Sequence, residues 1–226
     1  ASFGLDFYLG STDDEEKAFG AVTEASDDAL TFGYSLGIGL NTSFTGEDSL
    51  DITLDAGNVT EGVSELDGNT TGDTLIVDGI SYTFPVGDAT VIVGDSTDGS
   101  ALFTTACAYG GPSAMLDDCG NVNAGITGGE ATIGASYDFG NGFTAATGFQ
   151  TSSTASGVFT EQSKDAYDLN AAYIADSYGV SVTYGLVEQA GLTNEDTFTA
   201  FNAYYTPELE NFPSISVGYE IGDIGG

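Results

Sequence analysis

The chain carries 35 Asp and Glu residues against two lysines, Lys17 and Lys164, and has no histidine. Its formal net charge is −33 over 226 residues. The chemistry open to it is that of carboxylate oxygens. Two acidic stretches offer hard oxygen ligands of the kind Ca2+ prefers: Asp13-Asp14-Glu15-Glu16, and Asp95 with Asp98 in Asp95-Ser96-Thr97-Asp98-Gly99. Neither has EF-hand spacing, and an acidic loop is more often simply solvated. Apart from this Ca2+ candidate no cofactor is implied. The set of ligands that zinc requires is missing, and neither cysteine has a basic neighbour to make it a nucleophile. Serines are plentiful but lack a base, and no phosphate-cradling glycine loop opens a helix. The chain therefore reads as a non-enzyme. Nucleic acid is excluded as a partner, because almost nothing here neutralises phosphates. Cys107 and Cys119, the only two cysteines, point to an oxidising compartment and to a disulfide worth about 3 kcal/mol in the chain-entropy picture.

The elements that would position these groups are strands. Strong acidity alone suggests disorder, but disordered chains lack aromatics and β-branched residues, and this one has 12 Tyr and 14 Phe. Period-two alternation dominates. Over 34–44, Tyr34, Leu36, Ile38, Leu40 and Phe44 oppose Ser35, Gly37, Gly39, Asn41 and Ser43. Residues 50–56, 131–139 and 213–221 alternate in the same way, and similar text recurs at 3–10, 75–84, 143–150, 165–174 and 178–186. Residues 197–205 are apolar on both faces, as expected of a strand that also meets an inward loop or a second subunit. Gly140-Asn141-Gly142 marks a tight hairpin, and Pro85–Asp88 and Asp176-Ser177 mark further turns. The stretches 10–29, 57–73, 95–129, 151–164 and 188–196 read as long loops. The expectation is about eleven antiparallel strands, several long enough to cross a bilayer when tilted. No run of apolar residues is long enough for a transmembrane helix.

A soluble sandwich would alternate too, but its polar faces usually carry Lys and Glu. Here they carry Gly, Ser, Thr and Asn, with occasional Asp, while Tyr and Phe crowd the strand ends. Aromatic girdles and a water-filled lumen account for both features. The fold class expected is all-β, an antiparallel transmembrane β-barrel of porin type. Asp78 is the awkward residue, sharing a face with Ile76, Ile80 and Tyr82, where a carboxylate is cheap only near the interface. If Leu50, Ile52 and Leu54 face lipid, Asp51 and Asp55 face the pore, and the same parity turns Asp138, Asp168 and Glu220 inward. Such carboxylates bias a pore toward cations when they sit at its constriction and are plain solvated wall positions elsewhere. The Cys107–Cys119 loop is either part of that constriction or an ordinary stapled outer loop.

Leu40-Asn41-Thr42-Ser43-Phe44-Thr45-Gly46-Glu47-Asp48, followed by Leu54-Asp55-Ala56-Gly57-Asn58, resembles the first hairpin of the cyanobacterial outer-membrane porins. Val77–Gly87, with its Phe84-Pro85 turn, Ser136–Gly142 and Ser216–Glu220 are similar to later strands of the same family. Those proteins join an S-layer-homology segment to a carbohydrate-selective-porin-like barrel that passes small solutes and inorganic ions. The resemblance implies an outer-membrane location in a Gram-negative-type cell, contact with the bilayer, and small hydrophilic solutes and cations as partners, with a homotrimer as candidate assembly. It implies that residues 1–226 are a partial barrel domain, without the N-terminal periplasmic segment and the closing C-terminal strands. Asp51, Thr53 and Asp55 stand where relatives commonly place Arg, so the expected preference leans to cations. The alternative from another class is an acidic extracellular or array-forming β protein stabilised by divalent cations.

Overall fold

The computed structural model describes residues 1–10, 30–59, 68–108, 119, 121–152, 157–160, 162–188, 195–207 and 212–225. It contains eleven strands: β1 (Ser2–Gly10), β2 (Thr31–Thr42), β3 (Ser49–Gly57), β4 (Ile76–Val86), β5 (Ala89–Thr97), β6 (Gly129–Gly140), β7 (Phe143–Thr151), β8 (Asp165–Ile174), β9 (Tyr178–Glu188), β10 (Glu195–Tyr205) and β11 (Ile215–Asp223). The strands are antiparallel and follow one another in the sheet in chain order. Among the described residues there is no helix. Several boundaries depart from the expectation: β10 begins at Glu195, inside the stretch read as loop to 196, and β11 runs over Ile215–Asp223 rather than 213–221. β2 ends at Thr42, so Phe44 belongs to the turn, and the stretch from 95 is still strand up to Thr97.

The chain divides into two compact units. The first holds the described residues of 1–40 and 52–78. Its β1–β2 register sets Phe3, Leu5, Phe7 and Leu9 opposite Ile38, Leu36, Tyr34 and Phe32 on one face, with Gly4 and Asp6 opposite Gly37 and Ser35 on the other. Phe7 and Phe32 stack at 5.8 Å. The Ala56-Gly57-Asn58 motif has a local meaning. The Tyr34 carbonyl comes within 2.7 Å of where a Cβ on Gly57 would stand. Asn58 then takes the Tyr34 N–H on its Oδ1 at 3.0 Å and returns its own N–H to the Tyr34 carbonyl at 3.1 Å.

The second unit holds 41–51 and the described residues from 79 onward. The hairpin after β2 is built around one carboxylate. Asp48 Oδ1 accepts from Ser43 Oγ (2.6 Å), Phe44 N (3.0 Å), Thr45 N (2.8 Å) and Thr45 Oγ1 (2.8 Å), and Oδ2 accepts from Tyr82 Oη (2.6 Å). Gly46 takes φ 89°, where a side chain is disfavoured. This is what the Ser43-Phe44-Thr45-Gly46-Glu47-Asp48 text encodes. The Gly140-Asn141-Gly142 turn is equally explicit, with positive φ at all three residues and Asp138 Oδ1 accepting the Gly140 N–H at 2.7 Å.

Candidate functional site

In the second unit the strand registers line residues up in rows across the sheet. One inward row reads Ile92, Gly134, Gly148, Asp168, Gly185 and Phe198 from β5 to β10. A second reads Ser136, Ala146, Asn170, Thr183, Ala200 and Glu220 from β6 to β11. Residues of the other parity on these strands point the other way, and many are large, apolar and exposed: Ile133, Tyr137, Leu169, Val182, Tyr184, Phe201 and Tyr219. Large apolar side chains turned outward beside buried small polar ones reverse the arrangement of a soluble sandwich. They match a sheet with lipid on its outer face.

The inward face is covered. The segment between β5 and β6 lies across it, and its backbone is satisfied by side chains of successive strands rather than by a ladder. Thr104 N–H donates to Asn170 Oδ1 on β8 (3.1 Å), Ala106 N–H to Ser181 Oγ on β9 (2.9 Å), and Ala108 N–H to Ser216 Oγ on β11 (2.9 Å). The even spacing of these three amides shows an extended segment crossing the strands. Asn202 on β10 adds a bond from Nδ2 to the Cys119 carbonyl at 2.6 Å. On the return path Glu220 accepts the Asn123 N–H (2.9 Å), its Nδ2 (2.7 Å) and the Ala124 N–H (2.9 Å). Gln150 bridges both limbs, accepting from Gly99 N–H at 3.1 Å and donating to the Thr127 carbonyl at 2.7 Å. Cys107 and Cys119 are joined by a disulfide with Cα atoms 6.2 Å apart.

Glycines set how close the segment comes. A Cβ on Gly148 would strike the Gly99 carbonyl and Asp168 Oδ1, and one on Gly185 would meet the Ala124 carbonyl at 2.7 Å. The row of small residues in β6, β7 and β9 is therefore a shelf for backbone. Under it lie Asp168, Asn170 and Thr183, each at most 4% exposed. Asp168 Oδ2 takes a long bond of 3.4 Å from Ile126 N–H, and Oδ1 has no hydrogen-bond partner.

The predicted lumen carboxylates thus do different jobs. Asp168 and Glu220 both meet the covering segment. Asp138 caps the Gly140 turn. Asp51 accepts from Asn41 Nδ2 at 2.6 Å and from Ser49 Oγ at 2.5 Å. Asp55, in the first unit, places Oδ1 3.5 Å from the Cβ position of Gly37. Of the Ca2+ candidates, Asp13, Asp14, Glu15 and Glu16 lie outside the described residues. Asp95 accepts from Ser96 Oγ at 3.1 Å, and Asp98 accepts the Gly128 N–H at 2.8 Å, which ties the two ends of the covering segment together. Among the described residues no three His, Cys, Asp or Glu side chains gather as metal ligands. The sequence reading missed Asn170, Ser181, Asn202, Ser216 and Gln150 as anchors. Their signal was the small polar face itself, which says that something polar lies there without saying that it is chain.

No family model matches the chain, and no curated protein matches it. Solved structures do. A mutant of the Rh. blastica porin superposes with a TM-score of 0.53 at 12% identity, over 96% of this chain and 71% of that one. Another mutant of the same porin gives 0.54 at 12% identity, over 99% and 72%. A structure described as showing asymmetric conductivity of engineered proteins also gives 0.54 at 12%, over 99% and 72%. At this identity the likeness establishes the fold, which is that of a porin.

Proposed function

We propose that the chain is an outer-membrane porin through which small hydrophilic solutes and inorganic ions diffuse passively, with residues 99–108 and 121–128 between β5 and β6 narrowing the pore. The observation that carries this reading is the covered polar face. An outer surface rich in exposed Phe, Tyr, Leu, Ile and Val suits lipid, and an inner surface of small polar residues suits water. A backbone segment laid over the inner surface is what restricts a passage. On this reading the protein is a channel and not an enzyme, and it sits in the outer membrane of a Gram-negative-type cell. The Leu40–Asp48 and Ala56–Asn58 motifs support a cyanobacterial relative, and a homotrimer is the assembly to test.

A lean toward cations follows from the net charge of −33, since acidic walls raise the local cation concentration. Glu220 contributes to that field from beside the segment rather than as part of an open ring. Purified protein in planar bilayers tests both points. Discrete conductance steps and a KCl-gradient reversal potential of cation sign are expected. Silent membranes would remove the channel reading, and a reversal potential of anion sign would remove the cation preference alone.

A further inference from the structure

The outward face of the second unit carries a groove of about 570 Å³ across β5 to β9. Two neighbouring rows of the sheet build it. One reads Ile133, Phe149, Tyr167 and Leu186. The other reads Val91, Ala135, Thr147, Leu169 and Tyr184. Ala135 and Thr147 are the short side chains of its floor, and the larger ones stand around them. Phe149 and Tyr167 hold one wall together, with ring centroids 5.2 Å apart. Asp168 also borders the groove, but its carboxylate is turned to the inward face, where it meets the Ile126 N–H.

The next outward row changes character. From β5 to β10 it holds Asp95, Ala131, Thr151, Asp165, Glu188 and Glu195, with Asp165 and Glu188 next in register after Ala166 and Val187. Glu188 and Glu195 stand directly opposite each other, and like charges so placed destabilise a sheet. Asp165 accepts from Phe159 N–H and Ser163 Oγ, both at 2.8 Å, and adds its charge from beneath. Groove and row meet at Tyr167, which lines the first and lies in the field of Glu188, Asp165 and Glu195. Lys164, next to Asp165 in the chain, is one cation against four carboxylates; the other lysine, Lys17, lies outside the described residues.

We propose that the groove and the acidic row at its end dock a membrane amphiphile with one alkyl chain and an ammonium head. Charge complementarity selects the head. A positive group between Glu188 and Glu195 offsets their repulsion, and an anionic head adds to it. The groove selects the chain. From Glu188 to Tyr184 β9 runs about 13 Å, at roughly 3.3 Å per residue, which is the reach of a medium alkyl chain. In a bilayer or a micelle every chain already has apolar neighbours. The floor of Ala135 and Thr147 therefore fixes where the chain lies, and the carboxylates decide which head is kept. That the amphiphile comes from the bilayer rests on the porin reading; the binding itself does not.

The protein in dodecyl maltoside, labelled with meta-fluorotyrosine, reads the site through the 19F signals of Tyr167 and Tyr184, assigned by Tyr167→Phe and Tyr184→Phe. Dodecyltrimethylammonium is expected to move both signals saturably and dodecyl sulfate to leave them in place. Tetramethylammonium, the head without the chain, is expected to bind more weakly. Glu188→Gln with Glu195→Gln is expected to weaken dodecyltrimethylammonium about tenfold, the size of one charge-assisted contact. Asp88→Asn with Asp176→Asn, exposed acids in the β4–β5 and β8–β9 turns, should leave it unchanged, which separates the row from the net charge of −33. Ala135→Leu, which raises the floor, should weaken the amphiphile and spare tetramethylammonium. An equal loss in the Asp88 and Asp176 variant, an equal response to dodecyl sulfate, equal affinity for tetramethylammonium, or Ca2+ moving the same signals at lower concentration would each overturn the docking site. Saturable binding that depends on Glu188 and Glu195, in a protein that forms no channels in planar bilayers, keeps the site and overturns the porin reading. Channels without that binding do the opposite.

Discussion

β1 and β8 are written in the same alternating text, yet they are buried differently. In β1 the apolar positions are exposed, Phe3 by 73%, and Gly4 and Asp6 on the other face are exposed as well. In β8 the outward positions are exposed or half-buried, Leu169 by 58%, but Asp168 and Asn170 opposite are sealed at 2% and 4%. The outward faces agree, so alternation alone places large apolar side chains outside. The inward faces differ because a chain segment lies over one of them within its unit. A polar strand face therefore stays a wall until backbone is laid on it, and then each of its side chains becomes a hydrogen-bond anchor.

The strongest break of this contrast is in the staple. Replacing Cys107 and Cys119 by Ser is expected to cost about 3 kcal/mol of stability in the chain-entropy picture. It should also raise single-channel conductance as the segment loosens, with no change in the strands outside the second unit. Thermal unfolding in detergent and bilayer recording read the two effects. Unchanged conductance with lowered stability would mean that the segment does not restrict the passage.

Next comes the shelf. Gly148→Val places a side chain where the Gly99 carbonyl and Asp168 Oδ1 stand, and overpacking of this kind costs about 1–3 kcal/mol. The matched change in β1, Gly4→Val, meets nothing within 4 Å and should stay within about 0.5 kcal/mol of wild type. Equal effects at the two sites would mean that the covering segment does not define the shelf. A single anchor is smaller still. Asn170→Ala leaves the Thr104 N–H unpaired in a closed environment and is expected to cost about 1–2 kcal/mol. Amide hydrogen exchange at Thr104 should speed up while that at β1 does not.

Much of this was legible in the residues. Tyr137, Leu169, Val182 and Tyr219 announced the outer face by their period, and Gly140-Asn141-Gly142 announced its hairpin. The double apolarity of 197–205 was a true sign. Ala200 is fully buried and Asn202 holds Cys119, so β10 does meet an inward segment. The destination of the Cys107 segment was not legible. Its anchors, Asn170, Ser181 and Ser216, are the same residue types that line an open wall, and only their register across separate strands makes them a track for one backbone. Asp168 shows the same limit. Parity turned it inward, but whether it met water or the covering segment depended on a contact with Ile126, 42 residues away in sequence, which no local pattern carries.

The Asp48 hairpin gives the smallest and cleanest test, because its one carboxylate does the opposite of Asp168. Asp168 is buried with an oxygen unmatched, whereas Asp48 has four donors on one oxygen and Tyr82 on the other. Those bonds, from Ser43 first, then Tyr82 and the Thr45 N–H, hold its carboxyl well below the usual carboxylate range. A group whose pKa is lower in the folded state stabilises fully above its unfolded value, and that contribution disappears as pH falls through the folded value. With an unfolded Asp near 4, the hairpin's contribution should be flat from neutral pH down to about 5 and decline only below about 4. The stability gap between wild type and Asp48→Asn, followed by thermal unfolding across pH, is expected to hold constant over the first range and close over the second. A gap that closes between pH 7 and 5 would show that the five hydrogen bonds do not hold the carboxylate, and would leave Gly46 and its positive φ as the main determinant of the turn.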